Sequence, residues 1–155
     1  MRPILRLFLV LTGIAIIGVL GIQLIPYGRS HANPPVMQEP AWNRPETRAL
    51  AVRACYECHS NETAWPWYSN IAPVSWLVQR DVDEGREKLN FSEFNRQQRE
   101  AGEAAETVRE GEMPPAIFLP THPEARLTQA ERDTLIAGLV ATLGESRGES
   151  GRPAR

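Results

Sequence analysis

The chain has only two cysteines, and they stand three residues apart in Cys55-Tyr56-Glu57-Cys58-His59. On a helical turn that spacing puts both sulfurs on one face, with an imidazole directly after the second. C-x-x-C-H is the attachment sequence for a c-type haem. The two thiols add to the two vinyl groups along one edge of the macrocycle, and His59 meets the iron from one side. With no further thiol in the chain, a Cys-rich zinc or iron–sulfur site is excluded. A domain organised this way folds around a large, flat, apolar group.

Three other readings of the pair remain. A thioredoxin-like C-x-x-C would sit beside a βαβ pattern, and none surrounds it. A Cys₂His₂ zinc site would need His31 or His122 at irregular spacing. A disulfide would close a very small loop.

The N-terminus supplies a compartment. Arg2 and Arg6 precede an apolar run from Leu7 to Ile25, broken only by Thr12, three glycines and Gln23. Its 19 residues approach the ~20 needed to cross a bilayer as a helix. Positive charge ahead of the run predicts the N-terminus inside and the C-terminus outside, where c-type haem is attached in bacteria. A cleaved signal peptide is the alternative, with Ser30-His31-Ala32 as an acceptable cleavage site. The run is longer than the usual apolar region of a signal, which favours a retained anchor.

Beyond the run the charge balance is mildly acidic. Arg2 and Arg6 taken from 17 basic residues leave 15 against 19 acidic ones, a net of −4. That argues against nucleic acid as a partner. Residues 26–45 read as a linker, because Pro26, Pro34, Pro35, Pro40 and Pro45 deny both helix and central strand. Residues 46–144 are one small domain, marginal for a stable core by burial alone.

No useful β-alternation occurs, and four helices are expected. The first runs from about Pro45 to Cys58 and delivers both cysteines. The second begins at Pro73 with a stripe of Val74, Leu77, Val78 and Val82, and fades between Gly85 and Asn90. The third spans roughly Ser92 to Glu110, with Gly111 at its C′ position. The fourth opens on the capping box Thr128-Gln129-Ala130-Glu131 and ends at Gly144. Residues 145–155 read as a disordered tail.

The second axial ligand decides the chemistry. Met113, in Gly111-Glu112-Met113-Pro114-Pro115, lies on a proline-stiffened loop ahead of the last helix, where small c-type cytochromes carry their sulfur ligand. His122 is its rival, and His31 a weaker one. Most methionines simply fill core gaps. Trp65, Trp67 and Trp76 are expected to include at least one residue packed on the haem.

The run Arg53–Thr63 followed by Trp65-Pro66-Trp67-Tyr68-Ser69-Asn70-Ile71-Ala72-Pro73-Val74-Ser75-Trp76 resembles the bacterial haem-binding domain family. So do Gly85-Arg86, Asn90-Phe91-Ser92, Gly111-Glu112-Met113-Pro114 and His122-Pro123-Glu124-Ala125. The likeness covers roughly residues 24 to 143. It implies an all-α, cytochrome-c-like domain with one covalent haem c, exported and tethered by residues 1–25. The family's functional positions fall on Cys55, Cys58, His59 and Met113.

The expectation is a monohaem c-type cytochrome carrying single electrons on the periplasmic side of the cytoplasmic membrane. It would be anchored by one pass, with a periplasmic redox partner whose identity the sequence does not give, and would not be an enzyme. The alternatives are a haem-based sensor or binding module for small ligands, or a minor peroxidase with an open sixth site.

Overall fold

A computed structural model describes residues 3–145; the expected tail lies almost wholly outside them. Among the described residues the chain is helical, with one isolated bridge, Gln38 to Glu93, and no strand. The elements are α1 (Pro3–Ile22), α2 (Pro45–Ala54), α3 (Tyr56–His59), α4 (Val74–Lys88), α5 (Ala104–Glu110) and α6 (Gln129–Leu143). Contacts divide the chain into two compact units: the chain up to Ala32 with Trp65–Asp81, and Asn33–Ala64 with the chain from Val82 onward.

In the first unit, the 20 residues of α1 extend about 30 Å at 1.5 Å per residue, and none is buried. The helix is long and apolar enough to cross a membrane. Just past its end, the Gln23 side chain brackets one residue: its NH₂ donates to the Ala72 carbonyl at 2.8 Å, and its oxygen accepts from Ala72 N–H at 3.0 Å. The turn after it closes on α4 at Gly28 (φ +80°), where a Cβ would lie 2.3 Å from the Ser75 carbonyl oxygen. His31 stacks on Trp65 at 4.8 Å and bonds to the Ser69 hydroxyl through Nε2.

The second unit holds the core. Leu50 and Ala51 of α2, Ala105 and Val108 of α5, and Leu135 and Leu139 of α6 bury one another together with Tyr56, Leu89 and Phe91. Phe91 is the hub of an aromatic cluster, against Tyr56 at 5.4 Å and Trp42 at 5.3 Å. α2 and α6 touch at Gly138, where an added Cβ would collide with the buried Thr47. The proline-rich stretch is bonded to this unit: Met37 and Gln38 N–H both donate to Ser92 O, and Phe94 N–H donates to Gln38 O.

Two helices differ from expectation. The first breaks at Cys55 (φ −128°, ψ −34°), so that α2 and α3 are separate pieces. Bonds beyond the break hold the second piece in its own direction: Phe91 N–H donates to His59 O, and the Ser60 hydroxyl donates to Tyr56 O. The third helix begins at Ala104, after a 3₁₀ turn at Ala101–Glu103, and not near Ser92. Side chains have taken the backbone groups that a helix would use. Asn90 Oδ1 accepts from Ser92 N–H, Gln98 Oε1 accepts from Asn90 N–H, and Gln98 Nε2 donates to Glu93 O. The fourth helix matches its signals. Thr128 and Glu131 form the reciprocal capping box, and Gly144 (φ +83°) ends the helix.

Candidate functional site

Cys55, His59 and Met113 line one cleft in the second unit, which encloses about 700 Å³ of space, its open mouth included. Its apolar walls include Ala54, Leu89, Phe91, Ala104, Val108 and Leu139, and its polar lining is Lys88, Glu100, Glu103, Thr107 and Glu112. Met113, 54 positions beyond His59, is therefore brought to the cysteine turn by the packing of α2, α5 and α6.

His59 is held in a defined tautomer. Its Nδ1 lies 3.0 Å from the carbonyl oxygen of Leu89. A carbonyl only accepts, so Nδ1 carries the proton and Nε2 keeps a lone pair for a metal. Burial moves the imidazole below its ordinary pKa of 6.5, against the opposing pull of the Leu89 carbonyl. The ring is thus neutral at neutral pH, the form that ligates.

Both cysteines are free thiols. Burial pushes Cys55 up to about 12, with a smaller push from Cys58. Cys58 is not among the residues lining the cleft. It sits one turn on, packed against α4 so closely that a Cβ on Gly85 would lie 2.4 Å from its carbonyl oxygen. Arg86 braces the chain after His59, donating through Nε to Ser60 O at 2.8 Å and through Nη2 to Thr63 Oγ1 at 3.0 Å.

Met113 is placed by the end of α5. Gly111 (φ +80°) turns the chain in the left-handed region, and Glu112 and Met113 N–H both donate to Thr107 O, at 3.0 and 3.2 Å. Arg132 of α6 donates to Val108 O at 3.1 Å. The rival ligands lie elsewhere. His122 stacks on Phe118 with ring centroids 3.6 Å apart, and its Nδ1 is 3.1 Å from Phe118 O. His31 is engaged with Trp65 and Ser69, and Met37 is exposed.

Trp65, Trp67 and Trp76 are not among the cleft-lining residues, and Trp67 is 75% exposed. The aromatic in the wall is Phe91, with Trp42 packed behind it. Sequence reasoning missed Leu89 as well, because a backbone carbonyl carries no residue-type signal. Gly85 did leave one, as an isolated glycine inside a helical pattern.

The mostly apolar cleft offers the Cys55 thiol, one imidazole and one thioether, and the second free thiol, Cys58, follows on the same turn outside its lining. It suits a haem joined through thioethers and ligated by nitrogen and sulfur. Among the described residues no group of three or more His, Cys, Asp or Glu is placed to hold a metal ion. The family described as a haem-binding domain matches residues 17–141 of the chain. No curated protein and no solved structure matches it.

Proposed function

Because the chain belongs to the haem-binding domain family, we propose that it is a monohaem c-type cytochrome, an electron carrier and not an enzyme. Cys55 and Cys58 hold the group by thioethers. The attachment would be covalent, one thioether from each cysteine, with no net oxidation. His59 Nε2 and Met113 Sδ would hold the haem iron. A haem bound there supplies a reversible one-electron couple at iron. The protein's part is to hold both ligands still and to keep water out: the Leu89 carbonyl orients His59, Thr107 tethers the Met113 loop, and Leu89, Phe91, Val108 and Leu139 make the apolar wall. α1 is the anchor, and the second unit stands on the periplasmic side of the cytoplasmic membrane.

The observation that carries this reading is the shared cleft of Cys55, His59 and Met113, from which His122 is absent. An iron held by both His59 and Met113 would have no position left for a substrate, and for that reason electron transfer is proposed over peroxidase or sensor chemistry. The test is the optical spectrum of the full chain, matured with c-haem attachment machinery, as wild type and as Met113→Ala. Wild type should be low-spin, with the weak far-red methionine–iron band in the ferric form and no CO binding when reduced. Met113→Ala should keep its haem covalently, turn high-spin and bind CO. A variant with an unchanged low-spin spectrum removes Met113 as the ligand, and a wild type that binds CO readily moves the function to ligand sensing or catalysis.

A further inference from the structure

In the first unit an apolar surface lies level with the end of α1. Gln23, one residue past the helix, bonds to Ala72 from both ends of its side-chain amide, so the chain from Ile71 onward is pinned at the depth where α1 ends. The close approach of Gly28 to Ser75 and the His31–Ser69 bond fix the same segment at two further points. Around these clamps Tyr27, Trp67, Ile71, Val74 and Leu77 are all exposed. Val74 and Leu77 stand three apart on the first turn of α4, one side of that helix, and Ile71 precedes it in extended backbone. Arg29 stands at the same level, its guanidinium 3.0 Å from Gln23 Oε1 and exposed.

We infer that this surface lies in the lipid interface of the leaflet where α1 ends, with Trp67 and Tyr27 at headgroup level, the three aliphatic side chains in the acyl boundary, and Arg29 beside lipid phosphate. A helix of about 30 Å fills the hydrocarbon core, so whatever is bonded to its last turn is at the membrane surface. Amphipathic rings concentrate at that depth. In water, by contrast, five exposed large apolar residues beside a membrane helix would be a liability. The inference rests on α1 spanning a bilayer. Under it the protein has two membrane contacts, the span and the Trp65–Leu77 segment, and the second sets the orientation of the first unit about the anchor.

The test uses the full chain in liposomes of phosphatidylethanolamine and phosphatidylglycerol. A photo-crosslinking benzoylphenylalanine is placed in separate proteins at Trp67, at Leu77 and, within α1, at Phe8. After irradiation, peptides are examined by mass spectrometry for the added mass of one phospholipid. Lipid adducts at all three positions are expected. An adduct at Phe8 with none at Trp67 or Leu77 would overturn the inference while leaving the span intact, because the surface would then face water. No adduct at Phe8 would remove the span and the inference with it.

Discussion

Gly85→Ala is a substitution whose sign reverses between sequence and structure. Gly85 is inside α4, where alanine is favoured by about 1 kcal/mol, so helix propensity alone forecasts a more stable protein. The site forecasts the opposite. The new Cβ would lie 2.4 Å from the Cys58 carbonyl oxygen, 3.0 Å from the carbonyl carbon and 3.1 Å from Cys58 Cβ. Ordinary contact begins at 3.4 Å, so α4 and the cysteine turn must separate by about 1 Å. The two nearest atoms are backbone and cannot rotate away. Overpacking of this kind costs about 3 kcal/mol, the upper end of its usual range, leaving a net loss of about 2 kcal/mol. For a folding unit of roughly 100 residues that lowers Tm by about 8–16 °C. The assay is thermal unfolding of the holoprotein followed by far-UV circular dichroism. A variant melting at or above the wild-type temperature would refute the close packing of α4 on the C-x-x-C-H turn.

Two further predictions concern the same unit. Asn90→Ala removes the acceptor for Ser92 N–H and the donor to Asn61 Oδ1, both buried; at about 1–3 kcal/mol for each of the two stranded groups, a loss of ~2–6 kcal/mol is expected in urea unfolding, and a loss below ~1 kcal/mol would contradict the network. Glu39 is held below its ordinary pKa of 4.5, first by its hydrogen bond from Arg48. A folded-state carboxyl pKa that is depressed adds stability above the unfolded pKa, and that stability is lost as the pH falls through the folded value. Because Arg48 is 44% exposed, the bidentate pair is worth only about 0.5–1 kcal/mol. Glu39→Gln should therefore trail wild type by that amount near pH 7 and by less near pH 3; a gap of constant size would show that the charge contributes nothing.

Local chemistry determined much of this protein before any tertiary contact is considered. The helical class, the long apolar N-terminal helix, the capping box at Thr128 and the left-handed Gly111 all follow from short-range rules, because each depends on residues within a turn of one another. Cys55, Cys58 and His59 are likewise legible as a motif, and Met113 as a residue on a proline-rich loop ahead of the last helix.

Tertiary structure decided the rest, because those outcomes depend on atoms far apart in the chain. The helix over residues 45–58 breaks at Cys55 where bonds to Phe91 and the packing of Gly85 hold α3 in its own direction. The stretch after Ser92 is not helical because Asn90, Gln98 and the 37–38 segment take its backbone groups. His59 receives its tautomer from the carbonyl of Leu89, 30 residues away. Phe91 lines the cleft although no sequence pattern placed it there, since hydrophobicity marks a residue for burial without saying against what. Which side chains share a cleft is a property of how α2, α5 and α6 pack, and no local pattern encodes it.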